Sequence, residues 1–221
     1  MIKIENICKN FHTKEETFVA LKDINLHIKK NELLVIQGES GSGKSTLLNI
    51  LASIMKPTSG KILIEGENII SFSDIFASEY RKNRIGFITQ NFHLFDALTL
   101  HDNLLAPLVI RDLSEAQIEN SIDIALKTAN ISHKKNQKVS TLSGGEKQRA
   151  IIARAIVNNP DIIVCDEPTA NLDRENSLLF IETLKDLKAK GKTVIVSTHD
   201  PLFEKQDFID RVISLKEGSL G

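Results

Sequence analysis

Two segments of this 221-residue chain have the make-up of phosphate-binding loops. The first, Gly38-Glu39-Ser40-Gly41-Ser42-Gly43-Lys44-Ser45, matches G-x-x-x-x-G-K-[ST] in full and runs on through Thr46 into Leu47, Leu48, Ile50 and Leu51. Backbone N–H groups of such a loop cradle α and β phosphates, Lys44 would reach the β and γ oxygens as a point charge, and Ser45 would offer its hydroxyl to Mg²⁺. The second segment is Leu142-Ser143-Gly144-Gly145-Glu146-Lys147-Gln148-Arg149. A serine and two glycines opening onto a long helix present free N–H groups and the positive end of the helix dipole, which also suits phosphate. Nucleotide binding needs only the first segment, so the second raises the question of whose phosphate it holds.

Other side chains supply the rest of a phosphoryl-transfer site. Asp166 and Glu167 follow the apolar run Ile162-Ile163-Val164-Cys165, where two adjacent carboxylates are costly to ionise without a cation. Mg²⁺ is the expected cation, with Asp166 holding it through water and Glu167 directed at the γ-phosphate to polarise the attacking water. His199, in Thr198-His199-Asp200-Pro201, ends another apolar run and is expected to contact the γ-phosphate. Gln90 follows Ile85-Gly86-Phe87-Ile88-Thr89; its amide could ligate Mg²⁺ and sense the γ-phosphate at a hinge. Phe11 has two readings, stacking on an adenine ring or packing against the second strand.

These residues need a scaffold that brings them to one edge. Leu33-Leu34-Val35-Ile36, Ile162 to Cys165 and Thr193-Val194-Ile195-Val196 are short continuous apolar runs, the pattern of strands buried on both faces of a parallel sheet. Each is followed by phosphate-type or polar loop residues and then a helix, which predicts an α/β core with its ligand at the carboxyl edge of the strands. Ahead of them, Ile2 to Cys8 and Phe18 to Ile28 read as antiparallel, partly solvated strands, the second broken near Lys22-Asp23. From Gln90 to about Asn159 the periodicity becomes helical: Ile118, Ile122, Ala125, Leu126 and Ala129 share a face, with Ser114 and Glu115 at the start. The expected organisation is one domain, 1–221, with an α/β core and β subdomain from 1–89 and 160–221 and an inserted helical subdomain at 90–159.

Composition narrows the class. Apolar residues make up 41% and charged residues 26%, as in ordinary globular proteins, and the net charge of −1 provides no basic field for a nucleic-acid backbone or an anionic lipid surface. Cys8 and Cys165 are too few and too far apart for a disulfide framework or a metal cluster, which fits a cytosolic setting. Five of the six histidines show no metal spacing. No run approaches the roughly 18 apolar residues that span a bilayer, and no basic-then-apolar leader opens the chain, so membrane work is expected to pass through a partner.

Taken together, Gly38 to Thr46, Gln90, Leu142 to Arg149, Asp166-Glu167, Asn171-Leu172-Asp173 and His199 resemble, in content, order and spacing, the nucleotide-binding subunit of ABC transporters. The resemblance implies an α/β P-loop fold with an N-terminal antiparallel β subdomain and an inserted helical subdomain. It implies ATP and Mg²⁺ as ligands, Ser45, Gln90 and Asp166 around the metal, and catalytic roles for Glu167, His199, Gln90 and Lys44. It also gives the second loop a ligand: Leu142, Ser143, Gly144, Gly145 and Glu146 would hold the γ-phosphate of ATP on another subunit, with Asp173 in the D-loop, so that two chains meet head to tail. Integral membrane permeases are the implied partners, on the cytoplasmic face of the inner membrane. Arg84 to Leu94, Leu98-Thr99, Asn103 to Leu108 and the loop from His12 to Phe18 with Lys14-Glu15-Glu16 are similar to the lipoprotein-releasing (LolD) and macrolide-export (MacB) group. The alternative is an FtsE-like regulatory ATPase of cell division. Soluble ABC ATPases of DNA repair or translation predict coiled-coil inserts, zinc cysteines or tandem units that this sequence does not contain. Phe11 stands where many members carry Tyr, and Glu146 where Gln is commoner.

Overall fold

A computed structural model describes residues 1–13 and 16–221. The chain runs β1 (Ile2–His12), β2 (Thr17–Ile28), β3 (Leu33–Gln37), α1 (Lys44–Leu51), β4 (Ser59–Ile64), β5 (Glu67–Asn68), α2 (Asp74–Arg84), β6 (Ile85–Ile88), α3 (Leu100–Leu105), α4 (Glu115–Thr128), α5 (Gly144–Ile156), β7 (Ile162–Asp166), α6 (Arg174–Ala189), β8 (Thr193–Thr198), β9 (Arg211–Lys216) and β10 (Ser219–Leu220).

The strands form two sheets. One has the order β2-β1-β4-β5 and is antiparallel; the other has the order β10-β9-β3-β8-β7-β6 and is parallel except for the terminal β10. The continuous apolar runs form β3, β7 and β8 because both faces of the central sheet are covered. Leu33, Val35, Ile163, Cys165, Val194 and Val196 pack with buried residues of α3 to α6, whereas Leu34, Ile36, Ile162, Val164 and Ile195 pack with α1 and the antiparallel sheet. Alternate residues of one strand thus enter different cores.

Local signals set the helix starts. α3, α4 and α5 each begin with a reciprocal capping box, Thr99 with Asp102, Ser114 with Gln117 and Ser143 with Glu146. Each box satisfies N–H groups that have no partner inside the helix. The expected break in β2 is real: Asp23 has φ +49°, and Lys22 N–H leaves the hairpin to donate to Gly218 O at 2.7 Å.

The N-terminal loop is shorter than its sequence reads. β1 continues to His12 and β2 begins at Thr17, with His12 opposite Thr17 and Phe11 opposite Phe18. The part of the expected insertion that falls on Lys14 and Glu15 lies outside the described residues. β4, β5, α2, β9 and β10 are structural elements that the sequence reading does not contain.

Candidate active site

The Gly38 to Ser45 loop connects β3 to α1, which places it at the carboxyl edge of the parallel sheet. Two of its glycines are required by space. A Cβ on Gly43 would lie 2.6 Å from Ala20 O with φ at +105°, and one on Gly38 would strike the Leu215 carbonyl oxygen. The loop is wedged between the antiparallel sheet and β9, and its turn is closed by Ser42 N–H donating to Glu39 O at 3.2 Å.

β7 and β8 are neighbours, so Asp166, Glu167 and His199 meet this loop from the adjacent strand ends. Asp166 Oδ1 accepts from Ser45 Oγ at 3.0 Å and from Ser197 Oγ at 2.6 Å. Glu167 has φ +45°, a left-handed backbone uncommon for a residue with a side chain, and its N–H donates to Ser197 O at 3.1 Å. Its carboxylate is shared: Oε1 pairs with Lys44 Nζ at 3.1 Å, and Oε2 lies 2.8 Å from His199 Nδ1. Lys44 is 5% exposed and also donates to Gly38 O (2.7 Å) and Glu39 O (3.0 Å), whereas His199 is 67% exposed. Buried ammonium, half-buried carboxylate and exposed imidazole thus form one chain of contacts leading from loop to solvent.

A cleft of about 320 Å³ opens over these groups, bounded by Ser40, Gly41, Gly43, Lys44, Ser45, Thr46, Gln90, Glu167 and His199, and by Phe18 and Ala20 of β2. Gly38, Glu39 and Ser42 do not line it; Ser42 is buried and its carbonyl accepts from Gly218 N–H at 3.1 Å. Phe18, not Phe11, lines the cleft. Phe11 sits on β1, directly across from Phe18 on β2, and its ring carries the Lys9 ammonium 5.1 Å from its centroid.

Leu142 to Glu146 do not line the cleft. Leu142 is buried in the helical core, while Ser143 and Gly144 are exposed at the start of α5. Ser143 Oγ accepts from Glu146 N–H at 3.3 Å, and Glu146 Oε2 accepts from Ser143 N–H at 2.8 Å. The Ser143 bond, reinforced by Lys134, holds the Glu146 carboxyl below the usual glutamate range. Asp173 caps α6: it accepts from Asn176 N–H at 2.8 Å and from Asn176 Nδ2, contacts that hold its carboxyl below the usual aspartate range as well.

Several positioning residues escape the sequence reading. Ser197 binds Asp166 and also accepts from Glu167 N–H at 3.2 Å; a polar residue closing an apolar strand is the signal that marks it. Gln148, 4% exposed, donates to Pro168 O at 2.9 Å and so joins α5 to the loop after Glu167. Thr169 Oγ1 donates to Asp200 Oδ2 at 2.9 Å, joining that loop to the one that carries His199. Arg154 of α5 donates to the carbonyls of Phe92 and His93, just past Gln90.

A phosphate loop, a carboxylate pair and a terminal imidazole on adjacent parallel strands, with a second serine-glycine loop facing elsewhere, match one family. The ABC transporter family model covers residues 21–170. The chain belongs to the ABC transporter family. Over its whole length this ABC subunit is 34% identical to the lipoprotein-releasing system ATP-binding protein LolD of Shewanella oneidensis, covering 95% of that protein. It is 40% identical to the macrolide export ATP-binding/permease protein MacB of Campylobacter fetus, of which it covers 34%. A solved structure of the ATP-binding cassette MJ0796, a dimer in a post-hydrolysis state bound to ADP and Pi, superimposes on it with a TM-score of 0.90 at 39% identity, covering all of this chain and 96% of that one. The chain is therefore an ABC ATP-binding subunit of the group that includes LolD and MacB, with the fold of an ABC cassette and the activity of an ATPase.

Proposed function

We propose that this subunit binds MgATP in the cleft, closes head to tail on a second copy of itself, and drives a membrane partner of the lipoprotein-releasing or exporting kind. One observation carries the reading: Ser143 and Gly144 are exposed at a helix start outside the cleft, a phosphate site with no phosphate of its own chain to serve. The dimeric form of the related MJ0796 cassette supports it.

In this reading a triphosphate enters over Ser40 to Thr46, and its oxygens compete with Glu167 for Lys44. The Glu167 carboxylate, released from the ammonium but still beside His199, accepts a proton from the water that attacks the γ-phosphorus, and the bond from that phosphorus to the β,γ-bridging oxygen breaks so that ADP leaves with the electron pair. His199 donates toward the developing charge. The donor set fits Mg²⁺: Ser45, Asp166 and Gln90 offer hard oxygens, and Mg²⁺ at nucleotides needs only one or two such side chains beside phosphate. There it would offset negative charge on the phosphates. The adenine lies against Phe18.

The segment 90–159 acts as the helical subdomain and hinges at Gln90. Beyond that residue Phe95, Leu98, Val109 and Ile110 are exposed, an apolar surface for a membrane partner. No helix among the described residues is long and apolar enough to cross a membrane, and the subunit works peripherally on the cytoplasmic face of the inner membrane. Sedimentation of Glu167→Gln with ATP is the test. An ATP-dependent dimer is expected; a monomer at all ATP concentrations would refute the head-to-tail reading.

A further inference from the structure

We infer that Lys134 is a positioning residue for the exposed phosphate site: its ammonium neutralises Glu146, so that the start of α5 can accept a phosphate from another subunit. The inference rests on the head-to-tail reading. Its origin is a conflict of charge. A helix start carries roughly half a positive charge, and a carboxylate in the first turn uses up that field and repels an incoming anion. In this chain such a carboxylate stands beside Ser143: Glu146 Oε2 accepts from Ser143 N–H at 2.8 Å.

The other carboxylate oxygen has a dedicated partner. Lys134 Nζ lies 3.1 Å from Glu146 Oε1, and the two side chains are only 23% and 16% exposed, so the pair is partly shielded from water and salt. Nearby cations are engaged elsewhere: Lys147 pairs with Asp96 at 3.3 Å, and Arg149 donates to Asn176 Oδ1 at 3.4 Å. Lys134 is held independently of Glu146. It ends the short 3-10 turn Ser132–Lys134; its N–H donates to Ile131 O at 3.0 Å, and its carbonyl accepts from Gln137 N–H at 2.9 Å. Gln137 O in turn accepts from Leu100 N–H at 2.9 Å, which anchors the turn to the first residue of α3. A fixed cation facing a capping carboxylate offsets its charge and leaves the Gly144 and Gly145 N–H groups, which the cap does not use, to a phosphate. With glutamine at 146 the same cap would form without a charge to cancel.

A double-mutant comparison tests this in the Glu167→Gln background, which keeps hydrolysis from consuming the dimer. Lys134→Met, which preserves the apolar stem, is expected to weaken the ATP-dependent dimer about tenfold at low ionic strength, with a smaller loss at high salt. Combined with Glu146→Gln, the same substitution is expected to change dimerisation by less than about twofold, which also shows that the Lys134→Met chain folds. ATP affinity of the dilute monomer, read by calorimetry, is expected to stay unchanged in all of them. Equal losses with and without Glu146→Gln, or no loss in either, would overturn the role of Lys134 alone. Failure of Glu167→Gln itself to dimerise with ATP would overturn it together with the head-to-tail reading.

Discussion

The two phosphate-type loops of this ABC subunit differ in what surrounds them. Around Lys44 and Ser45, two neighbouring strand ends supply Asp166, Glu167, Ser197 and His199, and Lys44 is paired with Glu167 within the chain. Around Ser143, the charge in direct contact is Glu146 with its cation Lys134, while Lys147 and Arg149 are engaged elsewhere, and the helix start opens to solvent. On the proposed head-to-tail reading, the first loop is an active site with acids, bases and a wall, and the second completes another subunit's site with donors beside one neutralised carboxylate. The difference explains how one small cassette can carry two anion sites without two activities.

Substitutions separate the two loops, from the largest effect to the smallest. Lys44→Ala is expected to lower hydrolysis by about 10³-fold and to weaken ATP binding by the monomer as well, because both the γ-phosphate contact and the partner of Glu167 are lost. Phosphate release and calorimetry measure the two effects. Ser143→Arg is expected to lower hydrolysis by about 10²-fold while leaving monomer binding intact. Should it weaken monomer binding as Lys44→Ala does, the contrast between the loops collapses. Ser197→Ala, which removes a donor to Asp166 without touching nucleotide, is expected to raise the Mg²⁺ concentration needed for half-maximal hydrolysis by roughly tenfold. An unchanged requirement would detach Asp166 from the metal.

The smallest effect is one of pH. The Glu146 carboxyl is depressed in the folded chain, so its contribution to stability is fully present above the ordinary glutamate range and is lost as pH falls through the lowered value. The stability difference between wild type and Glu146→Gln in urea unfolding is therefore expected to shrink on acidification from neutral pH. A difference that holds constant with pH would mean that Glu146 caps α5 by shape alone.

What could be read from the sequence follows from burial. β3, β7 and β8 are legible because strands covered on both faces must be apolar at every position, and α4 because Ile122, Ala125 and Leu126 recur on one buried face after a capping serine. α2 was invisible for the opposite reason: Ala77 is its only buried residue, while Ile75 and Phe76 point outward, so no apolar stripe marks it. β9 and β10 were invisible because Leu215 alone of β9 is buried, although β9 completes the wall beneath Gly38. In the site, motif spacing revealed the groups that face the cleft. Ser197, Gln148 and Thr169, which hold those groups in place, escaped because their partners are distant in sequence and single polar residues carry no spacing. Phe18 escaped because its nearness to the cleft depends on hairpin register.

The grip of Arg154 on the carbonyls of Phe92 and His93, and of the fully buried Asn103 on both the N–H (2.8 Å) and the carbonyl (3.1 Å) of Phe95, is made entirely to main chain. Main-chain acceptors are the same whatever amino acid supplies them. The exposed side chain of Phe95 can therefore be exchanged without loosening the frame beneath it, and the surface proposed to meet a membrane partner is free to diversify while its linkage to the serine-bearing helix stays constant. A lineage of such cassettes can acquire new partners by rewriting a few outward-facing residues on an inherited mount.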